Sequence, residues 1–135
     1  MQCSPKPLAK LLLGALLSAA SSAFAADFIV IANAPIPLSA AEIKEIFLGE
    51  VQFVGSTKMA PIDNASVQVD FLTRIVGLPE VRYRALWAKK SFRDAQNAPA
   101  MKNSDAEVIA LVKSQPGSIG YVTHAPSGVY IVGRY

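Results

Sequence analysis

The chain has 135 residues, with thirteen basic and ten acidic side chains, one histidine and one cysteine, for a formal net charge of +3. That length allows one domain and little more. The weak basic balance argues against a nucleic-acid surface, and one cysteine with one histidine excludes an internal disulfide and the usual zinc ligand sets.

Residues 1–25 have the anatomy of a secretory signal peptide. Lys6 and Lys10 form a basic start, Leu11 to Ala20 an apolar run, and Ala23-Phe24-Ala25 a small-x-small cleavage site. The apolar run is well short of the roughly 20 residues that span a bilayer, which disfavours an uncleaved anchor. Cleavage near Ala25 leaves a single mature domain, residues 26–135. Removal of Lys6, Lys10 and Cys3 leaves 11 basic against 10 acidic groups, a net charge of +1 and no thiol. The mature chain must therefore hold together by packing alone, even in a compartment that permits disulfides.

Phe28 to Ala32 is a short, nearly unbroken apolar run rich in β-branched residues, which predicts a strand buried on both faces. Pro35 and Pro37 break it. Ser39-Ala-Ala-Glu42 is a capping box that opens a helix with Ile43, Ile46 and Phe47 on its apolar face, ended by Gly49. Gln52 to Thr57 is expected to be a polar connection, and Lys58 to Ile62 a second strand. Asp63 to Val67 is a polar turn, after which Val69, Leu72, Ile75 and Val76 outline a helix stopped by Gly77.

Glu80 to Phe92 predicts another helix with Val81, Leu86 or Ala85, Trp87 and Phe92 toward the core. Its Arg82, Arg84, Lys89 and Lys90 point outward. Asp94 to Lys102 is expected to be a loop. Ser104-Asp-Ala-Glu107 is a second capping box, before a helix carrying Val108, Ile109, Leu111 and Val112 and halted at Pro116-Gly117. Ser118 to Val122 and Val129 to Val132 read as strands of an antiparallel hairpin, with Tyr121 as packing. This order of elements implies one α/β sandwich with a mixed sheet and a C-terminal strand pair.

Three segments carry a family likeness: Leu38-Ser-Ala-Ala-Glu-Ile-Lys-Glu-Ile-Phe-Leu-Gly49, Tyr83-Arg-Ala-Leu-Trp-Ala-Lys-Lys-Ser-Phe92 and Gln115-Pro-Gly-Ser-Ile-Gly-Tyr-Val122. Together they resemble the phosphate-binding proteins of ABC phosphate importers, of the type 2 periplasmic solute-binding superfamily, in a short single-lobe exported form. The resemblance implies a periplasmic, non-enzymatic binding protein with no cofactor. Its expected partners are phosphate or another small oxyanion and the membrane protein of an ABC transporter. Full-length members close two lobes around the anion, whereas this chain has residues for one.

The anion turn of such proteins resembles Arg-x-Asp-Gly-Ser-Gly-Thr. The matching turn here is Asp63-Asn-Ala-Ser-Val67, with one hydroxyl, no glycine, no arginine and an acidic Asp63. The ligand-binding residues implied are Asp63, Asn64, Ser66 and Val67, at a strand-to-helix junction whose amides face an anion at the positive end of the helix dipole. A carboxylate there repels phosphate unless it accepts a proton from it.

The alternative for Asp63, Asn64 and Ser66 is that one of them is the helix N-cap. Arg74, Arg82, Arg84 and Arg93 are anion-holding candidates that amphipathic helices also place on a solvated face. His124 lacks any marked nucleophile, and no serine sits in a Gly-x-Ser-x-Gly elbow, so no catalytic residue is expected. Asp63 and Asp70 are not spaced as a close carboxylate pair. The alternative function is an interaction module with a decayed ligand site, engaging a second copy of itself or a membrane protein through the face a second lobe would occupy.

Overall fold

The β-branched run near the start forms the inner strand β1 (Ile29–Ala32), buried along its whole length as its composition dictates. The computed structural model describes residues 27–124 and 126–135; the expected signal peptide lies outside them. Helix α1 (Ala40–Phe47) follows, with both arms of its capping box formed: Ser39 Oγ accepts from the Glu42 amide and Glu42 accepts from the Ser39 amide. Then come a small hairpin of β2 (Phe53–Val54) and β3 (Thr57–Lys58), and strand β4 (Ala60–Asn64). A single α-helical turn, α2 (Gln68–Phe71), continues as a π-helical turn over Leu72–Val76. Helix α3 (Glu80–Asp94), strand β5 (Ala100–Lys102), helix α4 (Asp105–Ser114) and strands β6 (Ser118–Val122) and β7 (Tyr130–Arg134) complete the described chain.

Among the described residues the main sheet has five strands in the order β5-β4-β6-β1-β7. β4 runs parallel to both β5 and β6, while β1 is antiparallel to both β6 and β7. The sheet is therefore mixed, as expected. The expected C-terminal hairpin does not form, because β1 lies between β6 and β7. Each of the two C-terminal strands finds a better partner in the most apolar strand of the chain.

Side-chain alternation on β1 splits the core in two. Phe28 and Val30 pack with Phe47, Phe71, Tyr83 and Trp87, beneath the layer of α1, α2 and α3. Ile29 and Ile31 pack with Ile62, Val108 and Val112 of the α4 layer. Gly120 allows α4 to approach the sheet, since a Cβ there would stand 2.7 Å from Val108 Cγ1. At the centre of the larger cluster the rings of Phe71 and Tyr121 stack at 3.7 Å and 7°, with Phe28 and Phe47 edge-on to Phe71.

Several local expectations are corrected. The predicted second strand starts at Ala60 rather than at Lys58, which belongs to β3, and runs on to Asn64, because Asp63 and Asn64 find partners inside the fold. Gln52 to Thr57 is not simple connection but holds most of the β2–β3 hairpin, turning at Gly55, whose φ is +60°. Ala100–Lys102, expected in a loop, is an edge strand specified by its ladder to β4 rather than by any periodicity. In α3 the buried pair is Tyr83 and Trp87, one turn apart, while Val81 is 77% and Phe92 96% exposed. The indole Nε1–H donates to Phe47 O at 3.1 Å, which turns α3 so that Val81 and Phe92 face outward. Val69, expected on the apolar face, is exposed, and Gln68 is buried in its stead.

The stacked Phe71 anchors the aromatic core, so Phe71→Ala is expected to lower the unfolding free energy by about 3–5 kcal/mol. Val81→Ala, on the exposed face, should change it by less than about 0.5 kcal/mol. Urea unfolding of residues 26–135 measures both, and equal losses would contradict the assignment of faces.

Candidate functional site

The polar residues at the end of β4 are divided between the two sides of the sheet by strand alternation. Asp63 turns toward the α1–α3 layer and is only 2% exposed; Asn64 turns toward α4 and is fully buried. Neither lies in a solvent-facing turn.

Asp63 is the acceptor in a buried cluster. Tyr83 Oη donates to its Oδ2 at 2.8 Å and Tyr121 Oη to its Oδ1 at 2.9 Å, and the Gln68 side chain adds a further hydrogen bond. Burial lifts the Asp63 carboxyl to about 6, against these three hydrogen bonds, which pull it down. Burial, and then the charge of Asp63 beside them, push both tyrosine hydroxyls well above the usual phenol range. At neutral pH the cluster is one carboxylate held by two neutral phenols, linking β4, β6 and α3.

The Asn64 side chain is satisfied at both polar atoms. Its Nδ2 donates to Asp105 Oδ1 at 2.8 Å and to Tyr121 O at 3.1 Å. Its Oδ1 accepts from the Ser66 amide at 3.1 Å and from Ser66 Oγ. Asp105, in the first turn of α4, carries the network onward: its Oδ2 accepts from the Thr123 amide at 3.0 Å and from Thr123 Oγ1 at 2.7 Å. His124 Nδ1 lies 3.2 Å from the same oxygen. Partial burial opposes ionisation of Asp105, but the hydrogen bonds from Thr123, His124 and Asn64 prevail and hold its carboxyl below the usual range. The Ser104 hydroxyl caps α4 as expected, accepting from the Glu107 amide, while Glu107 reaches back to the Asn103 amide rather than to that of Ser104.

The turn itself is closed. The Ala65 amide donates to Lys102 O at 2.8 Å, the Ser66 amide to Asn64 Oδ1, and the Val67 amide to Asn64 O at 3.1 Å. None of Asp63, Asn64 and Ser66 is the helix N-cap; that position falls to Val67, whose side chain cannot accept a hydrogen bond. The N-cap alternative is thus corrected, because Asn64 spends its oxygen on the turn one step earlier. Three of the four candidate arginines are engaged elsewhere: Arg74 stands over the Phe28 ring at 4.9 Å, Arg84 pairs with Glu80, and Arg93 with Asp94 at 3.2 Å, while Arg82 is exposed on α3.

A half-open groove of about 720 Å³ lies at the other end of β4, between Trp87, Met59 and the residues before β5, and none of the four implied ligand residues lines it. Among the described residues no helix is long and apolar enough to cross a membrane.

Sequence reasoning brought forward Asp63, Asn64 and Ser66 but missed Tyr83, Tyr121, Asp105 and Thr123. Only the tyrosines gave a signal, as hydroxyl-bearing rings in otherwise apolar patterns. A buried Tyr needs a partner for its O–H, and Asp63 is the one the fold supplies.

The raised pKa of Asp63 means that the fold favours its protonated form. The stability it contributes is complete below the ordinary value of 3.8 and is lost as pH rises through about 6. Asp63→Asn removes this titration, so the stability of the native protein relative to the variant should fall by roughly 3 kcal/mol between about pH 4 and about pH 8. Paired urea titrations isolate the effect from Asp105, which titrates in both proteins. A difference independent of pH would contradict it.

No protein-family model matches the chain, and a search of curated proteins finds no match.

Proposed function

We propose that the chain is an exported, non-enzymatic interaction module, a single α/β lobe of the phosphate-binding-protein type whose anion turn has become an internal support. The observation that carries this reading is the closure of the turn: the amides of Ala65, Ser66 and Val67 are all bound within the protein. An oxyanion needs free amide hydrogens and a nearby cation. Here the hydrogens of these three amides are taken, and the Asp63 carboxylate lies buried in the strand that leads into the turn.

Phosphate uptake with an ABC-type importer is the competing reading. It requires Asn64 to release Ser66 and the network through Asp105 to loosen, leaving buried polar atoms without partners. Isothermal titration of residues 26–135 with sodium phosphate separates the two. The expected result is no saturable heat up to millimolar phosphate; saturable micromolar binding would overturn the interaction reading.

A further inference from the structure

Helix α3 has a second apolar stripe on the side away from the core. Val81, Ala85, Ala88 and Phe92 are all exposed and follow one another at spacings of four, three and four residues. That is the spacing of successive d and a positions of a heptad seam, which keeps a straight contact line along a partner helix. The stripe spans about 16 Å at 1.5 Å of rise per residue. A helix that only closes a domain keeps this side polar, so Val81 at 77% and Phe92 at 96% exposure mark an unpartnered surface.

The flanks of the seam select the partner. Arg82 and Lys89 take the e positions and Arg84 a g position, and none of the flanking sites is acidic. Arg84 is paired with Glu80, while among the described residues Arg82 and Lys89 have no carboxylate partner. On the Lys89 side a shallow groove of about 390 Å³ lies along the seam, lined by Ala85, Leu86, Lys89, Lys90 and Arg93. A second copy of the chain would bring these cations against their own kind, in parallel or antiparallel pairing. A lipid surface gains little from two alanine methyls beside one phenyl ring. The same small residues suit a helix, which approaches closely at Ala85 and Ala88 and is gripped at either end by Val81 and Phe92.

We propose that this face of α3 docks an acidic amphipathic helix of another protein, with apolar side chains on the seam and carboxylates opposite Arg82 and Lys89. The proposal deepens the interaction reading and rests on it.

The test uses residues 26–135 and a labelled synthetic peptide of about four heptads with Leu at a and d and Glu at e and g, followed by fluorescence anisotropy. Saturable binding is expected, weakening as salt is raised. It should fall by at least about tenfold in Phe92→Ser and in the double variant Arg82→Glu with Lys89→Glu. The double variant should instead bind the counterpart peptide with Lys at e and g. All three positions are exposed, so an unchanged urea midpoint verifies that the variants fold.

Absence of peptide binding, or binding indifferent to these substitutions, would overturn the proposal. So would Phe92-dependent dimerisation in light scattering, or Phe92-dependent sedimentation with phosphatidylglycerol vesicles in place of peptide binding. The phosphate titration is independent: saturation by phosphate removes the broader reading, whereas a silent peptide with silent phosphate removes the docking surface alone.

Discussion

One buried carboxylate ties the molecule together. Asp63 sits at the junction of β4, β6 and α3, and its two oxygens receive the hydroxyls of Tyr121 and Tyr83. Carrying a charge into an apolar layer is unfavourable, and the raised pKa of the group expresses that. Once the charge is there, the two phenols must stay where they are, since moving either one strands a buried acceptor. Tyr121 in turn is the ring on which Phe71 stacks, so the carboxylate indirectly positions the short helix that follows its own strand.

The same constraint explains the closed turn. With Asp63 committed to one face of the sheet, alternation sends Asn64 to the other, where Asp105 and the Tyr121 carbonyl receive its amide hydrogens. Its oxygen is then free only for Ser66. Two networks back to back thus leave the strand-to-helix junction without open donors between Ala65 and Val67, although that position at the end of parallel strands is where α/β folds commonly hold ligands. Any binding role is accordingly easier to place on the exterior, and among the described residues α3 carries the two most exposed large apolar side chains, Val81 and Phe92.

Much of the fold was legible. The strand at Ile29–Ala32, both serine caps and the glycine stop at Gly77 follow from local rules, because caps and left-handed stops are satisfied within a few residues of one another. The strand β5 and the hairpin β2–β3 were missed, being two or three residues long and specified only by their ladders. The site was legible as a location but not as an arrangement. Asp63, Asn64 and Ser66 look like turn and cap residues in any sequence, and nothing local indicates that Tyr83 and Tyr121, 20 and 58 positions away, will draw Asp63 into the core.

The sequence by itself determined an α/β domain with a doubly buried strand, a mixed sheet and a polar junction after β4, since each rests on composition or on contacts close along the chain. Tertiary structure decided which side of α3 is core, where β1 inserts, and whether the junction faces solvent. Those outcomes depend on long-range partners: the Phe47 carbonyl for Trp87, β6 and β7 for β1, and two distant tyrosines for Asp63.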